Sequence, residues 1–412
     1  MSRHIHFFSI SLVFILLTFS SARTQGYQKG MKLVGIGAVG NAEQGRSVSI
    51  ALNGNTAIVG GSGDNNGVGA VWIFSRSDKV WTQKAKLVGT GAVGISSQGI
   101  SVSLSADGHT AIVGGSGDNG GAGAAWVFTQ RNGVWTQQGN KLFVQGSVGN
   151  LIHLGVSVFL SRDGNTAIIG GDGDNGGQGA AWVFTRSEGV WTQQTKLVGT
   201  GASGNAFQGI SVAISGSGKT VIVGGSGDNN GIGAAWVFAQ IGRQWKQQAK
   251  LVGTGVLGSA AQGISVALSG DGSTAIVGGS GDKGNVGAAW IFVRSDSAWT
   301  QQGNKLFGTD AVGHAAQGIS VALSNVGNMA IVGGYTDNSS RGTAWIFIRT
   351  DSAWTQRGNK LVGSGVQGSA YQGISVSVSV DGTTAIVGGF GDNGNTGAAW
   401  VYSLKNRINT IR

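Results

Sequence analysis

Cysteine and proline are both absent from the 412 residues, and charged residues make up only 11 %. Without Cys there is no disulfide scaffold, no thiol nucleophile and no thiolate metal site. Collagen is excluded too, because it needs Gly at every third position together with abundant Pro. Low charge combined with 40 % hydrophobic residues argues against a disordered chain. Histidine is scarce: His4 and His6 fall in the first segment, and His109, His153 and His314 occupy unrelated positions. There is no HExxH and no GxSxG, so the commonest metalloprotease and serine hydrolase signatures are missing. What the chain does have is 78 Gly, 13 Trp and a formal charge of +10. That charge implies a loose attraction to anionic surfaces.

Residues 1–22, MSRHIHFFSISLVFILLTFSSA, read as a signal peptide. Arg3 supplies the basic start, Phe7 to Phe19 the apolar run, and Ser20 and Ala22 the small residues before cleavage. A helix of that run reaches only about 20 Å, short of a ~30 Å bilayer core. An uncleaved anchor is the alternative. No later stretch is apolar enough to span a membrane, so the mature chain is expected to be secreted, from about Arg23 onward. The last residues, 403–412, form a short basic tail.

Between these ends one unit recurs seven times. An Ala/Val-Trp pair places Trp72, Trp126, Trp182, Trp236, Trp290, Trp345 and Trp400 at spacings of 54 to 56 residues. A second Trp follows nine residues later, at Trp81, Trp135, Trp191, Trp245, Trp299 and Trp354. The repeats lie near 44–89, 98–144, 154–199, 208–253, 262–308, 317–363 and 372–402. In the second copy, Gly99–Ser105 alternates apolar residues with serines, which is the period of a strand. Asp107-Gly108 is a hairpin turn. Thr110–Gly115, Ala124–Thr129 and Trp135–Phe143 read as three further strands. No window shows a capped helical period.

A four-stranded meander cannot bury both faces alone, whereas seven placed radially can. The fold class expected is therefore all-β, a seven-bladed β-propeller over residues 23–402 with four-stranded antiparallel blades. The last copy stops after its third strand. Residues 27–34, YQKGMKLV, match Trp81–Val88 and supply the missing fourth. The N-terminal strand would then close the ring. An open solenoid is the competing architecture.

The core QGISVSLSADGHTAIVGGSGDN…GAAWVF resembles the FG-GAP repeat, the blade of the integrin α-subunit N-terminal propeller. It is most similar to secreted many-copy variants carrying GAAWVF and WTQQ. The resemblance spans residues 27–402 and implies a seven-bladed propeller used in adhesion and binding. A fungal lectin with similar repeats adds sugar recognition to that range. FG-GAP repeats typically hold Ca²⁺ between their first two strands with a D-x-D/N-x-D/N-G-x-x-D pattern. Here the equivalent ligand positions hold Ser103, Ser105 and Ala111 beside Asp107. Asp163, Asp271 and Asp381 keep the one carboxylate, while Asn53, Ser217 and Val326 replace it. No metal and no cofactor are expected.

The most regular polar feature is one Asp between the second and third strands of every copy: Asp64, Asp118, Asp174, Asp228, Asp282, Asp337 and Asp392. These loops share a face with the long linkers between blades. As candidate ligand-binding residues they would form a ring of carboxylates facing a cationic or polyhydroxylated partner. The competing reading is that each accepts hydrogen bonds from its own turn. Lys32, Lys86, Lys141, Lys196, Lys250, Lys305 and Lys360 recur on the outermost strands, where Lys blocks edge-to-edge pairing. Arg76, Arg186, Arg294 and Arg349 are expected to make a basic rim. The first Trp of each copy belongs in the core, and the second packs on a neighbouring strand or offers a stacking surface for sugar.

Gly89-Thr-Gly91-Ala-Val-Gly94 and Gly35–Gly40 satisfy G-x-G-x-x-G, but a strand follows where a dinucleotide site needs a helix. Nucleic acid is not an expected partner, since no arm or helix concentrates the charge. Asp172 with Asp174 in copy three is the only local carboxylate pair, and copy three diverges most, with Val148–Leu154 in place of the usual linker ending in Gln. A function private to one blade would sit there. Asn338-Ser339-Ser340 is the candidate glycosylation signal. The function expected is a non-catalytic, monomeric binding or adhesion module that recognises an extracellular protein or glycan on the Asp-loop face. A multivalent lectin with pockets between blades is the alternative. An extracellular hydrolase or lyase at the propeller mouth is the third reading.

Overall fold

The computed structural model describes residues 31–404 apart from Ser297. The expected signal segment 1–22, the part of the expected closing strand before Met31, and the expected tail beyond Leu404 lie outside the described residues. Among the described residues no helix is long and apolar enough to cross a membrane.

The strands form seven four-stranded antiparallel sheets. Blade one is β2 (Ser47–Ile50), β3 (Thr56–Gly61), β4 (Ala70–Ser77) and β5 (Val80–Leu87), ordered from the axis outward. The innermost strand of each blade touches that of the next, and Ser375–Val378 meets Ser47–Ile50. The ring is therefore closed, and the solenoid is excluded. Closure comes from β1 (Met31–Leu33), which pairs with the last strand through Met31↔Val401, Lys32↔Trp400 and Leu33↔Ala399.

Each core lies between two blades. Trp126, fully buried, packs on Ile58, Val71 and Ile73 of blade one and on Ala111 and Val113 of its own blade. The Gly-Gly ending β3 permits this close approach. A Cβ on Gly60 would come within 2.2 Å of the Gly99 carbonyl, and one on Gly61 within 2.7 Å of the Trp72 ring.

One expected strand is shorter than the sequence reading. Trp135–Phe143 pairs as Val134–Gln137 only, and pairing resumes at the single bridge Ala125↔Leu142. Blades two, five and six carry one more residue between the second Trp and the Lys than blades one, three and four. That residue breaks the strand at Gly139, Gly303 and Gly358, all at positive φ.

The inner strands leave their free edges facing a central channel. Serines cover part of these edges. Ser101 and Ser103 Oγ accept the Val158 and Leu160 N–H, and Ser375 and Ser377 do the same for Val48 and Ile50. Below them, a chain of backbone bonds circles the turn-side mouth. Leu52 N–H donates to Ala106, Ala106 to Arg162, Arg162 to Gly216, Gly216 to Gly270, and Gly270 to Asn325, while Val380 donates to Leu52.

Candidate functional site: the Asp-loop face

The sequence Asp-Asn/Lys-x-x makes a tight turn rather than an extended loop. Asn65 and Asn66 take the left-handed conformation, at φ 50° and 56°. Asn tolerates this region better than most residues. The Asp before them turns inward and is 1 % exposed in every blade.

Each carboxylate has two jobs. Its Oδ1 accepts a linker N–H at 2.6 to 2.8 Å, from Val39, Val93, Val148, Ser203, Leu257, Val312 or Gln367. Its Oδ2 pairs with the Lys of its own blade at 2.5 to 2.7 Å, from Lys32–Asp392 through Lys360–Asp337. The residue after the Asp completes the clamp, as when Asn65 N–H donates back to the Val39 carbonyl.

This corrects two expectations. Asp64, Asp118, Asp174, Asp228, Asp282, Asp337 and Asp392 do not present an open ring of carboxylates, because burial and the Lys partners occupy them. Nor do they only tie their own turns, since the Oδ1 partner belongs to the preceding linker. The seven Lys, expected as edge blockers, instead reach across their blade to the Asp. Lys86 Nζ also donates to the Gly37 carbonyl and lies 5.3 Å from the Trp72 ring centre. The expected Arg rim is likewise folded in. Arg76, Arg186, Arg294 and Arg349 lie over Trp81, Trp191, Trp299 and Trp354 at 5.3 to 5.9 Å.

What the buried Asp presents is the residue after it. Asn65, Asn119, Asn175, Asn229, Lys283, Asn338 and Asn393 are all exposed at the loop tips. Six carboxamides and one ammonium thus ring the face. Asn338, the glycosylation candidate, is one of them.

The Gln that ends each linker was given no role from the sequence. Gln98 is buried. Its Oε1 accepts the Gly89 N–H at 2.5 Å, and its Nε2 donates to the Gly89 carbonyl at 3.1 Å. Gln44, Gln208, Gln262, Gln317 and Gln372 hold the same position, nine residues after a Gly. That fixed interval was the available signal. Copy three replaces the pair with Val144 and Leu154, both packed in an apolar cluster. The Trp182 indole N–H there is buried without a hydrogen-bond partner, whereas Trp126 donates to the Thr90 carbonyl.

Two further departures from the sevenfold pattern involve rings on this face. In blade three, His153 Nδ1 lies 3.1 Å from Asp172 Oδ1, while Asp174 points inward to Lys196. The two carboxylates expected as a local pair therefore serve different partners. Near blades six, seven and one, Tyr335, Tyr371 and Phe390 form a row. Tyr371 stacks on Phe390 at 5.0 Å, and the Arg46 guanidinium lies over Phe390 at 5.0 Å.

On the opposite face, the Asp-Gly turns close on themselves. The Ser105 hydroxyl and the His109 N–H donate to Asp107 Oδ1. Partial burial pushes this carboxyl up, but those two bonds outweigh it and hold Asp107 below the ordinary Asp value. Asp163, Asp271 and Asp381 are held low in the same way. Among the described residues no group of three or more His, Asp or Glu side chains is placed to hold a metal ion.

No curated protein matches the chain. The family model of the FG-GAP repeat matches residues 191–238 and 245–292. Each matched segment runs from the outer-strand Trp of one blade through the third strand of the next, and the same sequence and geometry recur around the ring. The chain is a seven-bladed β-propeller that carries FG-GAP repeats.

Proposed function

We propose that the protein is exported and acts outside the cell as a non-catalytic binding module, meeting a glycan or protein partner on the Asp-loop face. The exposed ring of Asn carboxamides carries this reading. Each amide offers a donor and an acceptor, and each stands on a backbone turn that the Asp clamp beneath it fixes. Preorganised groups lose little entropy on binding. Repetition around one face suits a multivalent ligand, where weak contacts multiply. The aromatic row beside Arg46 gives the otherwise uniform face one distinctive sector.

A second reading, a lectin with pockets between blades, is favoured by one observation. Between blades two and three a cleft of about 450 Å³ is lined by Phe143, Trp191, Gln138, Gln145 and Gln193. Its aromatic surface and carboxamides are the groups that hold a sugar ring.

A glycan array with the mature chain, beside Asn119→Ala/Asn229→Ala and Trp191→Ala variants, tests both. Saturable binding lost in the Asn variant supports the face. Loss in the Trp191 variant alone moves the site to the cleft. A blank array sinks the glycan reading and leaves a protein partner.

A further inference from the structure

Two chambers lie along the axial channel, and the one on the turn side is bordered by residues in which blade three departs from the other six. The third residue of each inner strand is small in six blades: Ser49, Ser103, Ala213, Ala267, Ala322 and Ser377. In blade three it is Phe159, which borders both the upper and the lower chamber. The lower chamber holds about 180 Å³ and is walled by Val, Ile and Leu side chains such as Ile50, Leu104 and Leu323. A cavity of about 150 Å³ with such walls accepts benzene.

The rim of this chamber is uneven. Going round, it is Leu52, Ala106, Arg162, Gly216, Gly270, Asn325 and Val380. Arg162 is the one cation on it, and the next two positions carry no side chain. The Asn325 side chain lies over Gly270, so the rim is lowest at Gly216, immediately beside the charge. The chamber walls also carry polar groups. Where Phe159, Ala213, Ala267 and Ala322 stand, there is no hydroxyl to accept the N–H of Ile214, Leu268, Leu323 and Val378 on the next strand. Their counterpart in blade three, the Leu160 N–H, donates to Ser103 on the neighbouring inner strand.

We infer that the turn-side chamber is a binding site for a small aromatic carboxylate, with the ring under Phe159 and the carboxylate at Arg162. The volume sets the size at a single ring. The apolar walls and Phe159 favour an aromatic body. The Arg162 guanidinium matches a carboxylate in shape and charge. Blade three supplies both the roof and the cation, which gives the most divergent copy a role of its own. The site lies on the face opposite the Asn ring and stands or falls separately from it.

The test is ligand-observed saturation-transfer NMR on the full mature chain with benzoate, and with benzyl alcohol as the neutral control. Two variants accompany it. Arg162→Gln removes the charge, and Ala267→Phe fills the chamber with a side chain that the equivalent position in blade three already accommodates. Benzoate is expected to show transfer to its ring protons. Its affinity should fall about tenfold in Arg162→Gln, as loss of a charge-assisted contact implies, with benzyl alcohol unchanged. Transfer from both should vanish in Ala267→Phe. Absence of transfer from benzoate to the wild type overturns the site. So does transfer that survives in Ala267→Phe, or an affinity for benzoate that Arg162→Gln leaves intact. Should Ala267→Phe not fold, the Arg162→Gln comparison decides alone.

Discussion

Lys86 Nζ stands 2.7 Å from Asp64 Oδ2 and 5.3 Å from the centre of the Trp72 ring. One cation thereby connects a surface loop to the core tryptophan of its blade. The carboxylate is buried and the ammonium is only partly exposed, so neither charge is fully hydrated and each depends on the other.

Removing the carboxylate should therefore be costly. Asp118→Ala leaves Lys141 without its partner and the Val93 N–H without an acceptor. The expected loss is about 3 kcal/mol, the lower end for breaking a buried pair, because the Lys retains some solvent. Asp118→Asn keeps the Oδ1 acceptor and should lose less. Urea unfolding of the two variants checks the order. Equal losses would mean that the Oδ1 hydrogen bond adds nothing to the charge pair.

Gln98→Leu should destabilise blade two, although Leu154 fills the equivalent position in blade three. The Gly89 N–H and carbonyl would be left unpaired in a buried site, at a cost of about 2 kcal/mol. Adding Gly89→Val to imitate copy three should not rescue it. A Cβ at Gly89 comes within 2.2 Å of the Trp126 ring. A rescued double variant, seen by the same unfolding measurement, would contradict this account.

Deleting residues 1–34 removes β1 and leaves Ala398–Ser403 as a bare edge. Trp400 loses the strand paired beside it at Lys32, and Asp392 loses its Lys32 partner. The thermal midpoint should fall, and limited proteolysis should cut the last blade first. Cleavage beginning in any other blade would show that β1 does not hold the ring closed.

Acid should weaken the turn face in a defined window. Asp107, Asp163, Asp271 and Asp381 all lie below the ordinary Asp value of 3.8 in the folded chain. A depressed folded pKa means that the unfolded chain binds the proton first. Their stabilisation is thus complete above pH 3.8 and is lost as pH falls through the lowered folded values. Urea midpoints measured from neutral pH down to about 2 should drop in that acid limb. Replacing all four with Asn should flatten it. An unchanged slope in the quadruple variant would assign the acid sensitivity elsewhere.

The ring was legible because its signals are periodic. Trp72 and its six equivalents reported the blade count, and the match of 27–34 to Trp81–Val88 reported the closure. The site was less legible, because a repeated Asp reads alike whether it faces solvent or the interior. Its partners lie far off in sequence, at Val39 and Lys86 for Asp64, and spacing does not say which way a side chain turns. The Gln98–Gly89 pair had a fixed interval but an ordinary composition. Phe159 and Arg162 are single departures inside one copy, so no period drew attention to them, and only the closed ring brings them to a shared chamber.

The pairing of Met31–Leu33 with the last strand also sets an order of events in time. The first part of the ring to leave the ribosome is the last to find its place. Until Ala398–Ser403 has been made, β1 has no neighbour, and the first blade has no finished blade to lean on from behind. A chain released early in synthesis would leave six blades without their keystone. The completed circle is thus a record that synthesis has passed Ser403.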